Sequence, residues 1–135
     1  MISSNITVII HTRNEAKNIK DSITSAQILS HNIIVIDMQS TDDTAIIAQK
    51  MGVNVYQFPY STYVEPARNF GIEKANTDWV FIMDADERMT ESLSNEIKEV
   101  TEHTDKTYFK LPRKNIFGRV KWLAHGGCIP TMLFD

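Results

Sequence analysis

Two aspartates, Asp84 and Asp86, stand with one residue between them just after the apolar run from Trp79 to Met83. At i and i+2 of an extended segment, two hard carboxylate oxygens face one side, which suits Mg²⁺ or Mn²⁺ shared with a diphosphate. A solvated acidic turn has the same composition, so position must decide. Polar residues also follow two other apolar runs, as His11-Thr12-Arg13-Asn14-Glu15 and as Asp37-Met38-Gln39-Ser40. Open parallel sheets bind ligands outside the carboxyl ends of their strands, so these residues would share a rim with the aspartate pair. Asp37 is then placed to accept a hydrogen bond from a base or ribose. Arg68 could grip a phosphate with its forked guanidinium, or serve in a surface ion pair. His11, His103 and His125 titrate in the range of a general base, although an isolated histidine is more often structural. Asn14 and Glu15 also read as a helix cap with a favourable charge at the helix start.

These residues need elements to position them. Ile6 to His11 is a β-branched run, and Ala16, Ile19, Ile23 and Ala26 follow at helical steps. Ile33 to Asp37 predicts a second buried strand, and Ser40-Thr41-Asp42-Asp43 opens a helix that stops at Gly52. Val53 to Phe58 predicts a third strand, and Val64 to Ala75 a helix with Pro66 in its first turn. After the strand from Asp78 to Met83, Thr90 caps a helix striped by Leu93, Ile97 and Val100. Apolar strands separated by helices require a mostly parallel sheet with right-handed crossovers, an α/β fold. Beyond Val100 the pattern changes: Lys106 to Leu111 and Asn115 to Trp122 read as strands or a hairpin of mixed direction. The apolar stretch from Ile129 to Asp135 reads as a strand in mid-course, which creates the expectation of a chain cut short at its acceptor side.

Composition narrows the function classes. The chain has 135 residues, enough for one domain with its own core. With 17 acidic against 14 basic residues the net charge is −3, the wrong sign for a general nucleic-acid binder. Apolar runs are strand-sized, well short of the roughly 20 residues of a membrane helix. Met1 to Asn5 carry no signal-peptide pattern, so a cytoplasmic protein is expected, extending to peripheral association with the inner face of the membrane. The lone Cys128 permits no internal disulfide. No strand is followed by Gly-x-Gly-x-x-Gly or by a P-loop, which argues against dinucleotide and P-loop folds.

Taken in order, Ile6 to Glu15, Val35 to Thr44, Ala67-Arg68-Asn69-Phe70-Gly71 and Asp78 to Glu87 resemble the family 2 glycosyltransferases of GT-A fold. Asp-Ala-Asp-Glu-Arg at 84–88, with Pro112-Arg113-Lys114-Asn115 and His125-Gly126-Gly127, is most similar to the bacterial branch that adds glucose or a related sugar to the lipopolysaccharide core. The resemblance implies a single nucleotide-sugar-binding GT-A domain over residues 1–135: a Rossmann-like, mostly parallel sheet flanked by helices, with a short mixed β segment at its C-terminal end. It implies an inverting transferase that takes a nucleotide-sugar donor, commonly a UDP-sugar, and a divalent metal. The acceptor would be a glycan or lipid-linked glycan.

By family position, Thr12, Arg13 and Glu15 border the nucleoside, Asp37 meets the base, and Arg68 lies near the uracil or phosphates. Asp84 lies near ribose and metal, and Asp86 binds the metal. His125 and Asp135 are candidates for the base. Met38 stands where many members carry a second acid, and Thr131 where relatives of the branch often carry aspartate. Two alternatives belong to other classes. One is a non-catalytic nucleotide-sugar-binding module. The other is a Mg²⁺-dependent phosphohydrolase with Asp84 as nucleophile, although such enzymes carry the acidic pair after their first strand.

Overall fold

The structure, a computed structural model, describes residues 5–63, 65–103, 108–111, 115–117, 121–123 and 131–134. Strands and helices alternate: β1 (Ile6–Thr12), α1 (Ile19–Ala26), β2 (Ile33–Asp37), α2 (Thr44–Lys50), β3 (Asn54–Gln57), α3 (Glu65–Lys74), β4 (Trp79–Asp84) and α4 (Glu91–His103). Four short strands follow: β5 (Tyr108–Leu111), β6 (Asn115–Phe117), β7 (Lys121–Leu123) and β8 (Thr131–Phe134). The main sheet has the order β3-β2-β1-β4-β8-β5. Its first four strands are parallel, and β8 runs antiparallel to both of its neighbours, β4 and β5. This is the mostly parallel sheet with a short mixed segment that the sequence predicts.

The β-branched runs fold this way because both faces of the central strands are covered. Ile6, Val8 and Ile10 of β1 pack with Ile33 and Val35 of β2 and with Ile19 and Ile23 of α1. Ala48 of α2 and Ile97 of α4 join the same cluster. The alternate residues, Ile9, Ile34, Ile36, Val80 and Ile82, face Ala67 of α3. Helices α1, α2 and α4 therefore lie on one face and α3 on the other. Gly52, at φ 82°, ends α2 as expected of a residue in the left-handed region. Thr90 caps α4, its hydroxyl accepting the Leu93 N–H at 3.2 Å.

At the β-rich end the runs Lys106 to Leu111 and Asn115 to Trp122, read as strands or a hairpin of mixed direction, do contribute strands, and the structure shows how they pair. The hairpin is β6 with β7, whereas β5 pairs with β8 and β8 pairs with β4. Direction within a short β run is set by its partner strand, which neighbouring residues do not reveal. Among the described residues no helix is long and apolar enough to cross a membrane.

Helix α3 approaches the sheet closely through Gly71. A Cβ there would lie 2.9 Å from Ile9 Cγ2 and 3.3 Å from Ile36 Cγ1. Gly71→Ala is expected to destabilise the fold by about 1–3 kcal/mol through overpacking. Urea denaturation checks it, and an unchanged midpoint would mean that α3 stands further from the sheet.

Candidate functional site

Parallel strands deliver their C-terminal ends to one edge, and here the register places Thr12 beside Asp37 and His11 beside Asp84. Asp37 and Asp84 thus flank β1 at about two strand spacings, roughly 10 Å. The loops after these strands carry backbone N–H groups that no ladder satisfies, and side chains from neighbouring loops supply the acceptors.

Asn14, at φ 52°, is the centre of this stitching. Its Oδ1 accepts the Thr41 N–H at 2.7 Å and the Thr41 hydroxyl at 3.2 Å, while its own N–H donates to Ser40 Oγ at 2.8 Å. The Glu15 N–H donates to Thr44 Oγ1 at 2.9 Å, and the Ala16 N–H to Asp42 Oδ2 at 3.2 Å. Asn14 is therefore not the cap of α1, as the sequence also allowed: Asn18 stands at the N-cap and makes no side-chain cap bond. The partners of Asn14 lie 26 and 27 residues away, beyond the reach of any local pattern.

Asp37 is 1% exposed. Its Oδ1 accepts the Ser40 hydroxyl at 2.5 Å, and its Oδ2 accepts the Gln57 side-chain amide at 2.9 Å and the Ser40 N–H at 3.2 Å. Both oxygens are thus engaged inside the protein, fixing the turn after β2 to β3. Glu15 likewise turns back, accepting Asn18 Nδ2 at 2.7 Å. Thr12 is buried, and its hydroxyl has no hydrogen-bond partner among the described residues.

The acidic motif forms a turn closed by its own members. The Asp84 N–H donates to Glu87 Oε1 at 2.6 Å, and the Glu87 N–H donates to the Asp84 carbonyl at 3.0 Å. Arg88 donates to the Ala85 and Glu87 carbonyls and, at 3.0 Å, to Asn18 Oδ1, tying this turn to the start of α1. Asp84 is half-buried and Asp86 exposed. Among the described residues no group of three or more His, Cys, Asp or Glu side chains could hold a metal alone. Two hard carboxylates do fit a cation that takes its remaining ligands from phosphates and water, the usual condition of Mg²⁺ sites.

Cationic groups complete the edge. Arg68 lies in the first turn of α3, half-buried, with its Nε unpartnered among the described residues. The Arg13 guanidinium lies 3.8 Å from the centroid of the Tyr60 ring and donates to the Met38 carbonyl at 3.0 Å. Such a stack contributes about 0.5–1 kcal/mol at an exposed site. The Tyr60 N–H is held by Gln39 Oε1 at 3.0 Å, with Gln39 at φ 57°. Tyr60 belongs to no predicted site, and Gln39 enters the sequence reading only within the polar run after β2. His125 and Asp135 lie outside the described residues.

His11 is 3% exposed, and neither ring nitrogen has a hydrogen-bond partner among the described residues. Burial pushes its pKa below the ordinary 6.5; the Ala67 backbone and the Asp84 charge oppose the shift, and the Arg68 charge adds to it. The Ala67 backbone is near but not in hydrogen-bonding geometry. His11 is thus neutral in the fold, a core residue under the edge. As pH falls below 6.5, the unfolded chain takes up a proton that folded His11 refuses. The stability present above that pH should drain away toward the depressed folded value. Denaturation midpoints at pH 7.5 and 5.5 are expected to differ more for the wild type than for His11→Leu, and equal slopes would refute the assignment.

Known proteins resemble the chain in sequence and fold. The family model described as Glycosyl transferase family 2 matches residues 7–132. An uncharacterised glycosyltransferase of Rickettsia bellii is 34% identical over 100 residues, covering 74% of this chain and 34% of the relative. The chain spans about a third of the length of the curated relatives it matches. Among solved structures, S. aureus TarS 1-349 in complex with UDP-GlcNAc is 25% identical with a TM-score of 0.72, covering 85% of this chain and 36% of that one. Glucosyl-3-phosphoglycerate synthase of Mycobacterium tuberculosis, in complex with Mn²⁺, UDP and glucosyl-3-phosphoglycerate, is 27% identical with a TM-score of 0.54. That match covers 60% of this chain and 33% of the synthase.

Proposed function

The chain belongs to glycosyl transferase family 2, and from that premise we propose that it binds a nucleotide-sugar donor, a UDP-sugar, and transfers the sugar with inversion to a glycan or lipid-linked glycan. The observation that carries this is the meeting, at one sheet edge, of the Asp84–Glu87 turn with Arg13 and Arg68, which offers hard oxygens and guanidinium groups to a diphosphate. The complexes of TarS with UDP-GlcNAc and of the mycobacterial synthase with Mn²⁺ and UDP support the choice of donor and metal. The residues 84–88 and 112–115 favour, within the family, the branch acting on the lipopolysaccharide core at the inner face of the membrane.

Each residue then has a task. Asp86, exposed beside Asp84, would hold Mg²⁺ or Mn²⁺ together with it, and the ion would supply charge neutralisation for the leaving diphosphate. Arg68 faces the phosphates with a planar cation that needs no proton exchange. Arg13 borders the nucleoside, and Thr12 and Glu15 support the loop around it. Asp37 shapes the base pocket through Ser40 and Gln57; direct contact with a base would require one of those donors to yield. In the reaction, the bond from the anomeric carbon to the diphosphate breaks while the acceptor oxygen bonds to the opposite face, inverting the centre as in inverting glycoside chemistry. A base within hydrogen-bond reach takes the acceptor proton, with His125 and Asp135 as the candidates.

The phosphohydrolase alternative finds no support in the topology, because the acidic pair follows β4 rather than the first strand. A donor-binding module without turnover differs from the transferase only in activity. Binding is therefore tested first, by thermal shift with UDP, GDP and ADP, each with and without Mn²⁺. UDP with Mn²⁺ is expected to give the largest shift, since ligand at 100 times its Kd adds about 2.7 kcal/mol of stability. Asp86→Ala should abolish the Mn²⁺-dependent part. Equal shifts in wild type and variant would reject the metal assignment, and release of sugar from a UDP-sugar separates enzyme from module.

A further inference from the structure

We infer that Tyr60, with Arg13 laid on its ring, forms the platform on which the planar base of the donor nucleotide stacks, so that Tyr60 is a base-binding residue of the site. The inference rests on the donor reading above and adds a residue outside its set.

The Arg13 guanidinium forms no ion pair with a carboxylate among the described residues. Its anchors are instead an aromatic face at 3.8 Å and the Met38 carbonyl at 3.0 Å. An anchored guanidinium plane is unlike a solvated arginine: its orientation is held by these contacts, and among the described residues no carboxylate pairs with its charge. Tyr60 is 52% exposed, yet its backbone is pinned to Gln39 Oε1. The aromatic surface is thus presented to solvent by a held residue rather than by a loose one.

Position points the same way. Arg13 follows β1, Met38 and Gln39 follow β2, and Tyr60 follows β3, so the stack sits toward the β3 side of the sheet edge. The Asp84–Glu87 turn follows β4 on the other side of β1. The separation is two to three strand spacings, about 10–14 Å, which an extended nucleoside diphosphate can span. Bases stack on aromatic side chains and on guanidinium planes alike, and such contacts tolerate any base because every base has a π face. The edge-reading groups next to the stack, Gln39 and the Ser40 turn, are where discrimination between bases would arise.

The test compares Mn²⁺-UDP with Mn²⁺-pyrophosphate, which shares the charged end and lacks the base, by titration calorimetry on the full chain. Tyr60→Ala is expected to weaken UDP about tenfold, equivalent to about 1.4 kcal/mol, and to leave pyrophosphate within twofold. Arg13→Lys, which keeps the charge and loses the plane, should show the same split, and Tyr60→Phe should restore UDP binding. Unchanged UDP affinity in Tyr60→Ala overturns the platform while the donor reading stands. Equal loss of both ligands, with a lowered melting temperature, assigns Tyr60 a purely structural role and also overturns it. A wild type that binds pyrophosphate but no nucleoside diphosphate removes the platform and the donor reading together.

Discussion

Everything at the working edge depends on one constraint: the N–H groups of residues 14–16 leave the end of β1 with no strand to pair with and must find acceptors on the next loop. Ser40, Thr44 and Asp42 provide them. Asn14 returns the favour by accepting from Thr41, which obliges its backbone to adopt φ 52°. A non-glycine residue in that region is tolerated because asparagine's short amide can bond locally. Asp37 anchors the same turn from below, with its charge spread over three donors. Neither loop has a defined shape without the other, and a rigid edge is what preorganised binding requires.

The acidic motif obeys a similar division of labour. Of its five residues, Ala85 is buried and joins the core, Glu87 closes the turn, and Arg88 ties it to Asn18. Asn18 in turn holds the Glu15 carboxylate. Most of the motif therefore shapes a loop, and the proposed metal role rests on Asp84 and Asp86. Residue types that look catalytic in a list, Glu15, Asp37 and Glu87, spend their charge on backbone and amide donors instead.

The elements were legible because burial writes itself into short-range order. The runs at β1, β2 and β4 are continuous because both faces are covered, and the stripe on α4 repeats because one face is. Gly52 and Thr90 mark helix ends through chemistry confined to a single turn. What escaped reading involves partners far along the chain. Asn14 looks like a cap until Thr41 is beside it, the free-looking carboxylate of Asp37 is claimed by Gln57, and nothing near Tyr60 announces that Arg13 will lie on it. The strands after α4 were recognised as extended, while their pairing depended on which neighbour each would meet.

Strand β8 lies between β4 and β5, antiparallel to both, with Val80 opposite Phe134. Strands β1 to β3 pair through successive β-helix-β units, whereas β4 returns past β2 and β3 to lie beside β1, and β8 returns past β5 to β7 to lie beside β4. Until that last pairing forms, the outer edge of β4 offers unpaired backbone groups next to apolar side chains, the kind of surface on which chains cross-associate. Long-range closure of this sort is slow relative to local assembly. The slow steps in making this sheet are therefore its two long returns, of β4 to β1 and of β8 to β4, and the interval before them is the one most open to cross-association.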